Sequence, residues 1–229
     1  MKLPVFLILL TVGFFLQAKE AKPNIILLMG DDHGWEEVGY NGHTYVKTPN
    51  LDEMATEGLR LDNFYAQPTC SPTRGSVLTG RHPNRYGIFR PGYSIRPKEI
   101  TIAHLLKEAG YATAHFGKWH VGPVKQSSPT SPGAMGFEHW LSHDNFFEMN
   151  PVFSLNGRPP KKIYGESSEI LIDEAMKYID NRKDSEQPFL LVIWYGSPHE
   201  PYSAFETDLE LYRDLPEKYS ERSNADKLK

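Results

Sequence analysis

Three short apolar runs, each followed at once by a polar cluster, most constrain what this chain can fold into. Residues 24–29 (NIILLM) run into Gly30-Asp31-Asp32-His33-Gly34, and residues 111–116 into Gly117-Lys118-Trp119-His120. Residues 189–195 (FLLVIWY) run into Gly196-Ser197-Pro198-His199. Continuous apolar runs of this length suit strands buried on both faces, as in a parallel sheet under helices. Helical patterns fall between them. Residues 51–57 read as a helix with Asn50 as N-cap, Glu53 in a capping box and Gly58 as terminator. Residues 101–109 place Ile102, Leu105, Leu106 and Ala109 on one face, closed by Gly110. Residues 167–179 turn Ile170, Leu171, Ala175, Met176 and Ile179 inward. Alternating helix and strand predicts an α/β fold with a largely parallel sheet. Such sheets bind ligands beyond the carboxyl ends of their strands, so endings of Asp-Asp, Lys-x-His and His imply one site.

The 229 residues, net charge of −4 and 39% hydrophobic content suit one globular domain. No basic stripe runs along the chain, so no nucleic-acid partner is expected. Lys2 precedes a nearly all-apolar stretch, residues 3–16, and Ala18 offers a small residue for cleavage. That is the pattern of a secretory signal peptide over residues 1–18. It predicts export to the periplasm or the extracellular medium, with no membrane attachment after cleavage. The alternatives are a membrane anchor, for which the run is short against the roughly 20 residues of a span, and a buried strand. Residues 122–160, rich in Ser, Pro, Gly and aromatic residues, read either as a lid near the site or as a packed surface excursion.

Cys70 is the single cysteine, so no intrachain disulfide can form. Such a cysteine is buried and inert, paired between chains, or chemically used. Its surroundings, Thr69-Cys70-Ser71-Pro72-Thr73-Arg74-Gly75-Ser76-Val77-Leu78-Thr79-Gly80, narrow the choice. Pro72 suits a first helical residue, which sets Cys70 at or just before a helix N-terminus. Backbone N–H groups and the helix dipole favour an anion there, and Arg74 adds positive charge about one turn inside.

Here the sequence resembles the formylglycine-dependent sulfatases of the alkaline-phosphatase superfamily. Their signature Cys-x-Pro-x-Arg is met by Cys70, Pro72 and Arg74, and its extension by Leu78-Thr79-Gly80-Arg81. The likeness spans residues 22 to about 202, through Pro23-Asn24-Ile25, Asp31-Asp32, Thr48-Pro49-Asn50-Leu51-Asp52, Gly117-Lys118-Trp119-His120 and Pro198-His199. The resemblance implies an arylsulfatase-like hydrolase with an alkaline-phosphatase-like mixed sheet flanked by helices. It implies a sulfate-ester substrate, and a separate maturation enzyme that converts Cys70 to formylglycine. One hydroxyl of the hydrated aldehyde attacks sulfur, and the second, once deprotonated, expels sulfate.

By the same resemblance Asp31 and Asp32, with Cys70, are ligands of a divalent cation. Calcium is the usual ion and magnesium the other candidate, both hard cations that favour oxygen. Arg74 steadies the modified residue, Lys118 and His199 bind sulfate, and His120 is a candidate base beside the formylglycine hydroxyl. Lys118 is also a candidate proton donor to the leaving oxygen. Taken singly, each has an ordinary structural reading, such as a turn cap, a surface lysine or a packed histidine. Trp35, Tyr40, Trp140, Phe146 and Phe147 are candidates to stack on a sugar, core packing being the commoner use of such rings.

The family pattern continues past Lys229 with an Asp-Asn pair completing the metal shell, a further sulfate-binding lysine and a smaller domain. Residues 19–229 therefore read as the N-terminal part of a sulfatase catalytic domain, incomplete at its C-terminal end. Weak activity and uncovered sheet edges are expected of such a piece alone. The competing readings are a phosphonate or phosphate ester hydrolase of the same superfamily, and a non-catalytic remnant binding sulfated glycans.

Overall fold

A computed structural model describes residues 21–145, 149–200 and 202–215. The signal segment at residues 1–18 lies outside them, as do Phe146 and Phe147. In chain order the elements are β1 (Ile25–Met29), α1 (Pro49–Glu57), α2 (Cys70–Thr79), α3 (Pro83–Tyr86), α4 (Ile102–Glu108) and β2 (Ala112–Lys118). There follow β3 (His139–His143), β4 (Val152–Leu155), β5 (Lys161–Lys162), α5 (Ser167–Asp180), β6 (Phe189–Trp194) and α6 (Glu206–Glu210).

The six strands form one sheet in the order β1-β6-β2-β3-β4-β5. The first four run parallel, while β4 and β5 pair antiparallel. This is the expected α/β architecture. Alternation along β6 feeds two cores, since successive side chains of a strand point to opposite faces. Leu190, Val192 and Trp194 pack with Leu78, Ala103, Trp119 and Phe137, on the side of α2 and α4. Phe189, Leu191 and Ile193 pack with Phe116, Leu171, Ala175 and Tyr178, on the side of α5.

Several local expectations need correction. β1 is not buried on both faces: among the described residues it pairs with β6 alone, and Ile26 and Leu28 are 47% and 52% exposed. The helix at residues 51–57 starts at Pro49 with Thr48 as N-cap, because proline suits a first turn that needs no N–H. Asp52, not Glu53, meets the cap residue, accepting from Thr48 Oγ1 at 2.9 Å. Pro72 is the third residue of α2, which begins at Cys70 itself. Leu105 of α4, the C-cap Ala109 and Met176 of α5 face solvent, while Ala103 and Tyr178 are buried in their place. The described parts of residues 122–160 are packed into the fold. They supply β3 and β4 to the sheet, and Val124, Met135, Phe137 and the candidate sugar-stacking Trp140 are buried.

Candidate active site

Strand register decides where the polar clusters emerge. Met29 of β1 pairs with Trp194 of β6, Gly117 of β2 with the same Trp194, and Lys118 with His143 of β3. Four parallel strands therefore finish level with one another. The segments leaving β1 and β6 stay bound, Tyr195 N–H donating to Met29 O and Asp31 N–H to Ser197 O, both at 3.0 Å. Those leaving β2 and β3 do the same, through Trp119 N–H to His143 O and His120 N–H to Asp144 O at 2.9 Å. The packing at the shared level is close: a Cβ on Gly117 would lie 1.9 Å from Trp194 O. Gly117 also has φ +98°, so only glycine fits there.

α2 aims its N-terminus at this edge. Cys70 is its first residue, half-buried and a free thiol. Thr73 holds the first turn, its N–H and Oγ1 both donating to Thr69 O at 3.1 and 2.8 Å. The Tyr86 hydroxyl donates to Pro72 O from the other side. One turn in, Arg74 is 1% exposed. Its Nη1 donates to Lys118 O at 3.0 Å, Nη2 lies 3.3 Å from Asp31 Oδ1, and its guanidinium sits 4.8 Å from the centre of the Trp194 ring. Lys118 Nζ pairs with the other Asp31 oxygen. Asp31 thus stands between two buried cations, itself 3% exposed. His199 Nε2 approaches Asp32 Oδ2 at 3.3 Å, and Asp32 is more open to solvent.

Two non-glycine residues here take left-handed backbone, Asp32 with φ 58° and His120 with φ 51°. Such conformations cost energy and collect where a site fixes its groups. Burial, foremost, and then the charges of Lys118 and Arg74 push His120 down to about 4, so its imidazole is neutral near pH 7. Burial also lowers the Lys118 amine, against the hydrogen bond and charge of Asp31.

The structure thus brings Asp31, Asp32, Cys70, Arg74, Lys118, His120 and His199 to one end of the sheet. Sequence reasoning missed Trp194, the platform under Arg74, whose only signal was a tryptophan closing an apolar strand. It gave no role to His143 and Asp144 beyond the rim, yet their carbonyls anchor the backbone of Trp119 and His120.

The fit of the implied groups can be tested on these atoms. Arg74 Nε is buried with no hydrogen-bond partner among the described residues, which leaves a donor for an oxygen on a modified Cys70 side chain. For a divalent cation, Asp31 and Asp32 supply carboxylate oxygens of the kind hard ions prefer. They amount to part of a shell, because no cluster of three or more acidic, histidine or cysteine residues suited to a metal occurs among the described residues.

Comparison with known proteins adds to the geometry. The family model described as Sulfatase matches residues 23–227. The ulvan-active sulfatase of Formosa agariphila is 31% identical over 219 residues, covering 93% of this chain and 40% of that protein. The N-acetylgalactosamine-6-sulfatase of Homo sapiens is 36% identical over 215 residues, covering 80% of this chain and 40% of that one. The crystal structure of Ps i-CgsB in complex with k-i-k-neocarrahexaose superposes with a TM-score of 0.79 at 26% identity, covering 90% of this chain and 51% of that chain. The chain spans less than half the length of the curated relatives it matches. Its match to the family model over nearly all its described residues settles the classification: the chain belongs to the sulfatase family.

Proposed function

We propose that the protein hydrolyses sulfate esters of a carbohydrate, using a formylglycine made from Cys70 by a maturation enzyme and a divalent cation, calcium, at Asp31 and Asp32. The observation that carries this reading is the tie, at one sheet edge, of Arg74 to Lys118 O and Asp31, with Lys118 on the same carboxylate and Cys70 opening the helix that bears Arg74. Family membership supports the reaction class. The names of relatives, one active on ulvan and one an N-acetylgalactosamine-6-sulfatase, support a sulfated sugar as substrate.

Hydrated formylglycine supplies a nucleophilic hydroxyl and a second one whose deprotonation allows sulfate to leave, while the cation supplies Lewis acidity. The chain's own residues do the rest. Arg74, locked by Lys118 O and Asp31 and seated on Trp194, holds the side chain at position 70 and balances negative charge near it. In this reading Lys118 and His199 receive the sulfate oxygens, and Lys118 also donates a proton to the leaving alcohol. His120, neutral near pH 7, accepts the proton from the residue-70 hydroxyl. The helix N-terminus at Cys70 adds partial positive charge at the same point. Export through a cleaved leader over residues 1–18 completes the proposal and matches a polysaccharide substrate outside the cell.

The test is a comparison of turnover on a sulfate monoester and a phosphate monoester carrying the same aryl leaving group, with the protein matured in a host that makes formylglycine. Faster sulfate turnover, abolished by Cys70→Ala, is the expected result. Preference for phosphate would contradict it and favour the related ester hydrolases.

A further inference from the structure

Away from the site, the turn between β4 and β5 builds a basic groove that the proposed chemistry does not use. It measures about 560 Å³ and is lined by Lys125, Gln126, Ser127, Gly157, Arg158, Pro159 and Pro160. No carboxylate is among these residues, although the whole chain carries a net charge of −4. Lys161 and Lys162 continue from it along β5, both exposed. Among the described residues none of Lys125, Arg158, Lys161 and Lys162 takes part in an ion pair. Lys162 lies 5.4 Å from the centre of the Tyr164 ring, which is itself 80% exposed.

The groove is held rigidly. Gly157 has φ +74°, and a Cβ there would sit 2.2 Å from Gln126 N, so only glycine lets the two cation-bearing loops touch. Gln126 N–H donates to Gly157 O at 3.3 Å, and Ser154 Oγ donates to Arg158 O at 2.7 Å. The Lys125 loop is tied to the active end as well. Val124 N–H donates to Asp144 Oδ1 at 2.6 Å, and Asp144 O in turn holds His120 N–H.

Direction matters too. β5 runs antiparallel to β4, and β4 antiparallel to β3, so Lys161 and Lys162 lead toward the end of the sheet where β3 finishes. β5 stands three places from β2 in the sheet, about 14 Å at the usual strand spacing. From these observations we propose that this groove and the lysines of β5 form a second anion-binding site, which holds sulfate groups on neighbouring units of the polymer whose ester is cleaved at Cys70. Unpaired cations, with Lys162 beside an open aromatic ring, suit a sulfated sugar, which offers anionic groups and an apolar ring face. The inference rests on the sulfatase reading for its ligand, but its test does not need turnover.

The intact protein and its Lys125→Glu/Arg158→Glu variant are titrated with dextran sulfate, neutral dextran and a single-stranded oligonucleotide of matched charge. Both are also assayed on a small aryl sulfate. The expected result is about tenfold weaker binding of dextran sulfate by the variant and a shallower salt dependence. Thermal midpoint and aryl-sulfate kinetics should be unchanged, and Lys125→Arg/Arg158→Lys should bind as the parent does. If the reversal variant misfolds, Lys125→Gln/Arg158→Gln replaces it, with a smaller loss expected. Equal affinity in parent and charge variants overturns the proposal, as does an oligonucleotide binding as tightly as dextran sulfate. A parent that binds dextran sulfate through these residues yet cleaves no aryl sulfate supports the groove and sinks the catalytic reading.

Discussion

Arg74 Nη1 donates to the backbone carbonyl of Lys118 at 3.0 Å, so the helix that begins at Cys70 is fastened to the strand that delivers Lys118. The same guanidinium reaches Asp31 at 3.3 Å, which ties in β1. Three elements are registered to one another through one side chain.

Arg74→Lys is therefore expected to lower kcat by about 10²–10³, because an ammonium cannot reproduce a planar fork reaching two partners at once. Steady-state kinetics on an aryl sulfate checks this, with the thermal midpoint as control for folding. A kcat near that of the parent would remove Arg74 from the catalytic account.

Asp31→Asn leaves Lys118 and Arg74 facing each other, buried, without their shared counter-charge. Removing one partner of a buried ion group costs about 3–5 kcal/mol. Urea unfolding should show that loss, and a change below about 1 kcal/mol would contradict it.

Stability should depend on pH through His115. This ring is fully buried, edge-on to Trp119 and Trp194, with Nδ1 at 2.8 Å from Ser142 Oγ. Burial first, and Arg74 second, hold it well below the usual histidine value. In the unfolded chain it takes up a proton near pH 6.5, while the folded protein keeps it neutral. The unfolded state then binds more protons below that pH, so this contribution is complete above about 6.5 and shrinks as the pH falls toward the folded value. His139 and His143, both lowered chiefly by burial, act in the same direction. Urea midpoints at about pH 7.5 and about pH 5.5 should differ less in His115→Gln than in the parent. An equal difference would rule His115 out.

Gly117→Ala is expected to disrupt the sheet, since both its φ of +98° and the 1.9 Å approach to Trp194 O forbid a Cβ. Left-handed strain alone costs about 1–3 kcal/mol, and the clash adds to it. Circular dichroism melting should show a large fall or no folded protein, and an unchanged midpoint would contradict the register described.

Much of this was legible in the sequence because apolar runs and the clusters ending them are local. Residues 111–116 and 189–195 correspond to β2 and β6, although β2 runs two residues further and takes in Gly117 and Lys118. Burial of β1 was not legible, because Ile25, Leu27 and Met29 look no different from Ile26 and Leu28 until the pairing partners are known. Trp140 read as a candidate surface ring for a similar reason: its burial depends on Val124 and Asn156, each 16 residues away. The role of Trp194 rests on Arg74, 120 positions earlier, and no local pattern announces it.

The central claim is that Cys70 is the precursor of the catalytic group, and peptide mass spectrometry of protein from its native host tests it most directly. The account predicts that the Cys70 peptide has lost one sulfur and two hydrogens and gained one oxygen, the change from thiol to aldehyde. An intact thiol at Cys70 in protein recovered from that host would contradict it.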